Sequence, residues 1–256
     1  MNKEKVISVM KRYELKFYLN KEQLAYFQES IKDYMKIDKY GLTSIASLYY
    51  DTPDYRLITR SIEKPKFKEK LRLRSYGLAK DDTPTFLEVK RKFDGIVYKR
   101  RITLLEAEAE DLIETHERND RSQISRELEA FLDTYKKLEP KYLIIYDRSA
   151  YYQENSDLRI TIDMNPRYRT TDLNLHTSME GEPLLEEGGA ILEVKVQNSI
   201  PLWLTKILTE GKIYQTSFSK VGTAHKKELA KRDISHVLLE RNKNYVQGGY
   251  EYGLTI

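Results

Sequence analysis

The chain has 256 residues, of which 40% are hydrophobic, so it can bury a sizeable core, and we expect a single domain. Its 44 Lys and Arg against 40 Asp and Glu leave a net charge of only +4, which does not by itself identify a partner. The sequence contains no cysteine, which excludes disulfides, thiolate metal sites and a cysteine nucleophile.

The N-terminal segment gives no sign of export. Residues 1–17 lack the apolar stretch of a signal peptide. No stretch of the chain approaches the roughly 20 apolar residues of a membrane span. We therefore expect a soluble, cytoplasmic protein.

The first predicted strand covers residues 11–19 and has two distinct faces. Side chains alternate across a strand, so the apolar positions from Tyr13 to Leu19 share one face, while Arg12, Glu14 and Lys16 share the other. Asn20 is a suitable N-cap for a helix that the apolar spacing extends to residue 36. A strand over 42–51 and a short helix over 54–62 are predicted next.

The strand over 67–75 carries the strongest signal in the sequence. Its alternation places Lys68, Lys70, Arg72 and Arg74 on one face, opposite an apolar face. Like charges in a row repel one another unless water, carboxylates or a polyanion neutralise them. This strand therefore predicts a binding site for a polyanion.

A hairpin is predicted between strands over 85–92 and 96–104, because Asp94-Gly95 separates them. Two helices follow, over 107–116 and 123–137. The remaining strands are predicted over 141–151, 158–163 and 190–196, and the remaining helices begin at Pro201 and cover 221–232. We expect one domain over 1–241 and a loosely ordered tail over 242–256.

At least six strands thus pair an apolar face with a face of Lys, Arg, Glu and Tyr. Helices can cover the apolar face, whereas an open sheet would leave the charged face in bulk water. We therefore predict an α+β fold in which a closed antiparallel β-barrel forms a tunnel with a basic lumen and helices packed outside. Such a lumen would attract a chain of phosphates.

Short charged motifs recur in a fixed order along these elements. They are Glu14-Leu15-Lys16, Lys70-Leu71-Arg72-Leu73-Arg74, Glu88-Val89-Lys90, Tyr146-Asp147-Arg148, Leu158-Arg159, Glu193-Val194-Lys195 and Phe218-Ser219-Lys220. Over residues 10–230 this ordered set resembles the polyphosphate polymerase domain of the vacuolar transporter chaperone (VTC) family of triphosphate tunnel metalloenzymes. The resemblance implies a basic tunnel in which the terminal phosphate of ATP is transferred to a growing polyphosphate chain.

Carried over residue by residue, the resemblance assigns roles to the cations and carboxylates of these motifs. Glu193, assisted by Glu14, would hold a divalent metal, Mn²⁺ or Mg²⁺, which completes its shell with water and substrate phosphates. The candidates for contacting the reacting phosphates are Lys16, Arg72, Arg74, Lys90, Arg148, Arg159, Lys195 and Lys220. The candidates for binding the nucleotide are Arg12, Lys70, Tyr146, Lys99 and Arg101. The implied partners are ATP and inorganic polyphosphate, pyrophosphate or phosphate, with a separate membrane partner if product is to be moved.

One departure from the wider superfamily bears on the activity. Hydrolytic tunnel enzymes typically begin with alternating Glu, Glu and Lys, whereas this chain has Arg12, Glu14 and Lys16. Fewer carboxylate ligands favour a polymerase over a two-metal hydrolase. A hydrolase of tripolyphosphate or nucleoside triphosphates, and a catalytically silent module that binds polyphosphate, remain as alternatives.

Each candidate also has a simpler interpretation. Lys68, Lys92 and Lys99 could be solvated cations, and Glu193 could pair with a nearby cation. Tyr146 could be core packing or could lie near the nucleotide. Basic strands with Tyr49, Tyr50, Tyr98 and Tyr146 could also stack nucleic acid bases, but interleaved carboxylates favour a metal and a short polyanion, and we expect no nucleic acid partner.

Overall fold

A computed structural model of the protein describes residues 13–63, 65–94, 96–117 and 122–248, those from 235 onward by their backbone only. Arg12, which is among the nucleotide-binding candidates, and Gly95 of the predicted hairpin lie outside the described residues. Residues 249–256 of the expected tail lie outside them as well, whereas residues 242–248 belong to the last helix.

The described residues form ten strands. They are β1 Tyr13–Leu19, β2 Lys36–Asp51, β3 Phe67–Tyr76, β4 Thr85–Phe93, β5 Ile96–Leu104, β6 Glu139–Tyr152, β7 Arg159–Arg169, β8 Glu182–Pro183, β9 Ala190–Val196 and β10 Gln215–Thr216. The helices in the same part of the chain are α1 Lys21–Ser30, α2 Arg56–Ile62, α3 Glu106–Thr115, α4 Gln123–Tyr135, α5 Leu202–Glu210 and α6 Lys220–Gly248.

Several elements differ in length from the sequence prediction. Helix α1 ends at Ser30 rather than at residue 36, although Ile31 and Met35 are still buried, because a turn keeps them against the same core. Strand β2 begins at Lys36, and β7 continues to Arg169. Within β7, Asn165 has a φ of 47° beside a register shift, so a bulge lets the strand bend and continue.

The sheet is antiparallel throughout and strongly curled. Its strand order is β10-β1-β9-β7-β6-β2-β3-β4-β5, with β8 paired to β7. In a flat sheet, six strand spacings of about 4.8 Å would separate β1 from β4 by about 29 Å. The Oε2 atom of Glu14 on β1 lies only 3.5 Å from the Nζ atom of Lys90 on β4. The sheet therefore wraps around a lumen, and the predicted α+β antiparallel tunnel fold is confirmed.

Two hydrophobic cores cover the outer face of this sheet. On β2 to β5, Leu71, Leu73 and Leu87 pack against Leu112 of α3 and Phe131 of α4. On β1, β7 and β9, the same face packs against α1 and α5, whose buried side chains include Phe27, Leu204 and Ile207. These cores fix which side of each strand faces the lumen.

Helices α2 and α6 lie on the other face. Ile45 and Tyr49 of β2 have inward-facing positions, and they pack with Ile58 of α2 and with Val221 and Ala224 of α6. The expectation of helices outside the sheet thus holds for α1, α3, α4 and α5, while α2 and α6 close off part of the inner face. This brings the start of α6, with Lys220, into the lumen.

Within the described part of the chain, none of the helices has a stretch long and apolar enough to cross a bilayer.

Replacing Asp51 should destabilise the start of α2, the helix that packs against α6. The carboxylate of Asp51 is fully buried and accepts hydrogen bonds from the amides of Leu57 and Ile58, at 2.8 and 2.7 Å. We expect Asp51→Ala to lower the free energy of unfolding by about 2–3 kcal/mol, because it leaves buried donors unpaired. Urea unfolding followed by circular dichroism measures this loss. Asp54→Ala removes an exposed carboxylate nearby, and an equal loss in that control would contradict the role of Asp51.

Candidate functional site

Charged side chains from seven strands and one helix meet in the lumen. Alternation places them there, since their neighbours in sequence belong to the outer cores. They are Glu14 and Lys16 on β1, Lys70, Arg72 and Arg74 on β3, Glu88 and Lys90 on β4, Lys99 and Arg101 on β5, Arg148 on β6, Asp163 on β7, Glu193 and Lys195 on β9, and Lys220 at the start of α6.

Glu88 is the centre of the first group, the Glu88 cluster, formed with Arg72, Arg74, Lys99 and Arg101. The carboxylate is fully buried. Its Oε2 atom accepts a hydrogen bond from Arg72 Nε at 2.7 Å, and its Oε1 atom accepts from Arg101 Nε at 2.5 Å. Lys99 Nζ lies 2.6 Å from Oε1 and Arg74 Nη1 lies 3.9 Å from Oε2. One carboxylate thus gathers four cations.

These contacts keep Glu88 ionised. Burial raises the pKa of Glu88, but Arg72, Arg74 and Lys99 outweigh that effect and hold the pKa well below its usual range. A single negative charge cannot neutralise four positive ones, so the cluster stays strongly positive. It is suited to bind further anionic groups.

The second group is the Glu193–Asp163 cluster, formed by these two carboxylates with Lys16, Arg148, Lys195 and Lys220. Glu193 lies 3.0 Å from Lys16 Nζ, 3.2 Å from Lys195 Nζ and 3.6 Å from Arg148 Nη2. Arg148 also donates two hydrogen bonds to Asp163, at 2.5 and 2.7 Å, and Lys220 pairs with the same carboxylate. Each cation is held by a buried carboxylate, which fixes its position.

Tyr146 joins the two clusters. Its hydroxyl accepts a hydrogen bond from Arg74 Nη2 at 3.1 Å. Its ring lies 4.5 Å from Lys220 Nζ and 5.1 Å from Arg148 Cζ, within the range of cation–π attraction. The side chain is buried, so Tyr146 packs in the interior and also orients three lumen cations.

Three lysines between the clusters repel one another. Burial and the charges of Lys90 and Lys16 lower the pKa of Lys70 to about 8. Burial likewise lowers the pKa of Lys90, reinforced by Lys16, although Glu14 opposes this. Lys70 donates to the hydroxyl of Ser219 at 2.9 Å rather than to a carboxylate. An anion placed here would relieve this repulsion.

Sequence reasoning underrated several residues of the lumen. Of Glu14 and Glu88, the sequence favours Glu14 as the carboxylate that assists Glu193, and it assigns no role to Asp163. Tyr49 was considered only as a base-stacking residue, yet its hydroxyl accepts from Arg72 Nη1 at 3.1 Å. Burial raises the pKa of Tyr49, but Arg72, Lys70 and Arg74 together lower it to about 7. For Glu88 and Asp163, the signal in the sequence is a single carboxylate at an inward-facing position among cations.

Arg159 is the candidate that the structure leaves away from both clusters. Its side chain is exposed, and its Nη1 atom donates to the carbonyl oxygens of Ser156 at 3.0 Å and Leu158 at 2.8 Å. These contacts hold Arg159 at the start of β7. Arg159 is paired with Lys195 in the sheet and so lies at one end of the lumen face, whereas the other described candidates lie within the two clusters or between them.

The donor set suits a metal that takes few protein ligands. Lys16 Nζ lies between Glu193 and Glu14, 3.0 Å from the first carboxylate and 3.4 Å from the second. Among the described residues, no group of three or more His, Cys, Asp or Glu side chains is arranged to hold a metal. Mg²⁺ commonly uses one or two carboxylates and fills its remaining positions with water and phosphate oxygens. Glu193 and Glu14 fit that pattern.

The curled antiparallel sheet and the cations on its inner face together define a triphosphate-tunnel fold. The chain belongs to the VTC domain family, which matches residues 11–227.

Solved structures with the same fold have low sequence identity to this chain. HpAC1 from Hippeastrum, a candidate adenylyl cyclase described as having a dominant triphosphatase activity, is 14% identical with a TM-score of 0.55, over 85% of this chain and 96% of that chain. A candidate adenylate cyclase from Bacillus halodurans is 15% identical with a TM-score of 0.50, over 82% of this chain and 96% of that chain. A comparison with curated proteins finds no match. At these identities the likeness supports the fold alone.

The lysine pKa values predict how anion binding depends on pH. Lys70 and Lys99 have pKa values of about 8, so both lose charge above that pH and the affinity for tripolyphosphate should fall. Stability of the unliganded protein should change in the opposite sense. Between pH 8 and the ordinary lysine pKa of 10.5 the unfolded chain binds more protons, so the free energy of unfolding rises with pH.

Calorimetric titration with tripolyphosphate from pH 7 to 9.5 tests this expectation. The affinity should fall less steeply with pH in Lys70→Gln than in the wild type. In the control Lys206→Gln, which replaces an exposed lysine of α5, the affinity should fall as steeply as in the wild type. Ionisation of tripolyphosphate changes the affinity of all three proteins equally, so it does not affect the differences between their slopes. Identical slopes in all three would contradict the role of Lys70.

Proposed function

We propose that this protein is a metal-dependent polyphosphate polymerase that transfers the γ-phosphate of ATP to a growing polyphosphate chain in the lumen. The observation that carries this proposal is the group of Lys16, Lys70 and Lys90 on the lumen face, where burial, reinforced by the neighbouring lysines, lowers the pKa values of Lys70 and Lys90. Like charges held close together on a lumen face are suited to bind an anion between them. The VTC domain match supports a phosphate chain as that anion.

In the proposed reaction, a terminal oxygen of the polyphosphate chain attacks the γ-phosphorus of ATP. A new phosphorus–oxygen bond forms to the chain, the bond from the γ-phosphorus to the β,γ-bridging oxygen breaks, and ADP leaves with that oxygen. Such transfers need alignment and charge neutralisation more than a covalent nucleophile. The Glu88 cluster and the Glu193–Asp163 cluster supply fixed cations for both tasks.

Individual side chains take distinct parts in this proposal. Arg72 and Arg74 hold phosphate oxygens while Glu88 keeps their guanidinium groups in place. Arg148 and Lys220, held by Asp163, bind the neighbouring phosphate. Glu193 and Glu14 would hold the Mg²⁺ or Mn²⁺, which neutralises phosphate charge when bound. Lys16, beside these carboxylates, would bind a substrate phosphate.

The proposed setting is the cytoplasm, where ATP is available, and movement of the product across a membrane would require a separate membrane partner. Two other functions could use the same lumen. A hydrolase of tripolyphosphate or nucleoside triphosphates would release free phosphate, and a silent binding module would release nothing. The products formed from ATP distinguish all three.

Glu193→Gln should separate turnover from binding. We expect the rate at which ADP and acid-stable polymer form to fall by about 100-fold. Mutation of the residues that support a metal's ligands lowers activity by about 10- to 100-fold, and Glu193 is proposed as a ligand itself. Binding of tripolyphosphate should persist, because Lys16, Lys195 and Arg148 lose a competing carboxylate. Phosphorus NMR of reactions with ATP and Mn²⁺ or Mg²⁺ follows ADP, free phosphate and polymer together. Glu210→Gln, on the exposed side of α5, is the control.

Wild-type protein that releases free phosphate without polymer would replace the polymerase by the hydrolase. If the wild type turns over no ATP yet is stabilised by polyphosphate, the silent binding module is correct. If Glu193→Gln turned over ATP as fast as the wild type, Glu193 would not be a ligand of the metal.

Arg72→Ala should weaken binding and turnover together. Arg72 contacts both Glu88 and Tyr49 in the lumen, so its loss removes a phosphate-binding cation and leaves Glu88 less fully neutralised. We expect the affinity for tripolyphosphate to fall by about tenfold or more. Arg100→Ala removes an outward-facing arginine of β5 that pairs with Glu127, and it should bind like the wild type. Unchanged binding and turnover in Arg72→Ala would refute the lumen as the binding site.

A further inference from the structure

An aromatic pair lies beside the Glu88 cluster. Tyr76 ends β3 and shares the inward face with Arg72 and Arg74, while Phe86 shares the inward face of β4 with Glu88. The two rings are 5.5 Å apart at an interplanar angle of 78°. We call these two residues the Tyr76–Phe86 pair.

Arg101 connects this pair to the Glu88 cluster. Its guanidinium carbon lies 4.5 Å from the centre of the Phe86 ring, and its Nη2 atom lies 3.5 Å from the Tyr76 hydroxyl. The Nε atom of the same guanidinium donates to Glu88 at 2.5 Å. Arg101 therefore contacts both the aromatic pair and the central carboxylate of the Glu88 cluster.

Exposure sets Tyr76 apart from the other inward tyrosines. Tyr49 and Tyr146 are 8% and 3% exposed, as expected for residues packed in the interior, whereas Tyr76 is 45% exposed. An exposed tyrosine alone needs no explanation. An exposed ring in contact with an arginine of the Glu88 cluster matches the two chemically different halves of a nucleotide, its flat base and its charged phosphates.

We propose that the Tyr76–Phe86 pair binds the base of the nucleoside triphosphate, with the triphosphate extending inward to Arg72, Arg74 and Arg101. Stacking on an aromatic ring tolerates any base, since every base has a π-face, and favours purines, whose face is larger. The site thus selects nucleotides over inorganic polyphosphate at one end of the lumen. This inference rests on the proposed function, because it requires the lumen to bind a nucleoside triphosphate.

The test compares two ligands that share phosphates and differ in the base. Calorimetry would measure the affinities of the β,γ-imido analogue of ATP and of tripolyphosphate for the wild type, Tyr76→Ala and Tyr76→Phe. Tyr76→Ala should weaken the ATP analogue by about tenfold and tripolyphosphate by less than about twofold. Tyr76→Phe keeps the ring and should bind both ligands like the wild type. Phe93→Ala, an exposed aromatic on the outer face of β4, is the matched control and should change neither affinity.

Each other result has its own meaning. An unchanged affinity of Tyr76→Ala for the ATP analogue would overturn the proposed base site. Equal losses for both ligands would do the same, because they would show that Tyr76 only positions Arg101. Failure of the wild type to bind tripolyphosphate would instead refute the proposed function, and the base site would fall with it.

Discussion

Repulsion among half-buried cations is the constraint on which this structure depends. Lys16, Lys70 and Lys90 approach one another inside a curled sheet, where water screens charge poorly. Four carboxylates reduce the repulsion among the lumen cations by each lying beside two or more of them: Glu14, Glu88, Asp163 and Glu193. Because these carboxylates are fewer than the cations, the lumen keeps a positive field. That field is what an anionic substrate would meet.

The outer cores make such a lumen possible. Leucines of β3 and β4 pack against α3 and α4, and β9 packs against α1 and α5, so the apolar faces have no alternative orientation. A shift of one residue in register would turn the cations into the core, at a large cost in free energy. Hydrophobic burial on one side of the sheet therefore holds charge in place on the other. The same packing gives the cations a fixed geometry before any ligand binds, as phosphoryl transfer requires.

Helices α2 and α6 give the lumen an asymmetric wall. Ile58 and Val221 pack on inward positions of β2, and this contact sets Lys220 against Asp163 and Tyr146. Periodicity predicted both helices but could not show which face of the sheet they cover, since an apolar stripe fits either face. Tyr142 and Ile144 are inward residues of β6 that are apolar for this reason. They interrupt the charged face where α6 lies on it.

Alternation along the strands was enough to predict the antiparallel fold and the basic face, because a period of two in charge and apolarity is local information. It placed Arg72 and Arg74 together on the face that lines the lumen. It could not pair Glu88 with Arg101, bring Asp163 to Lys220, or leave Arg159 outside both clusters, since these outcomes depend on register and curvature between strands far apart in the chain. The sequence by itself determined which residues face inward. Only the tertiary structure decided which cations share a carboxylate, because the closing of the sheet, and not the order of residues, sets those distances.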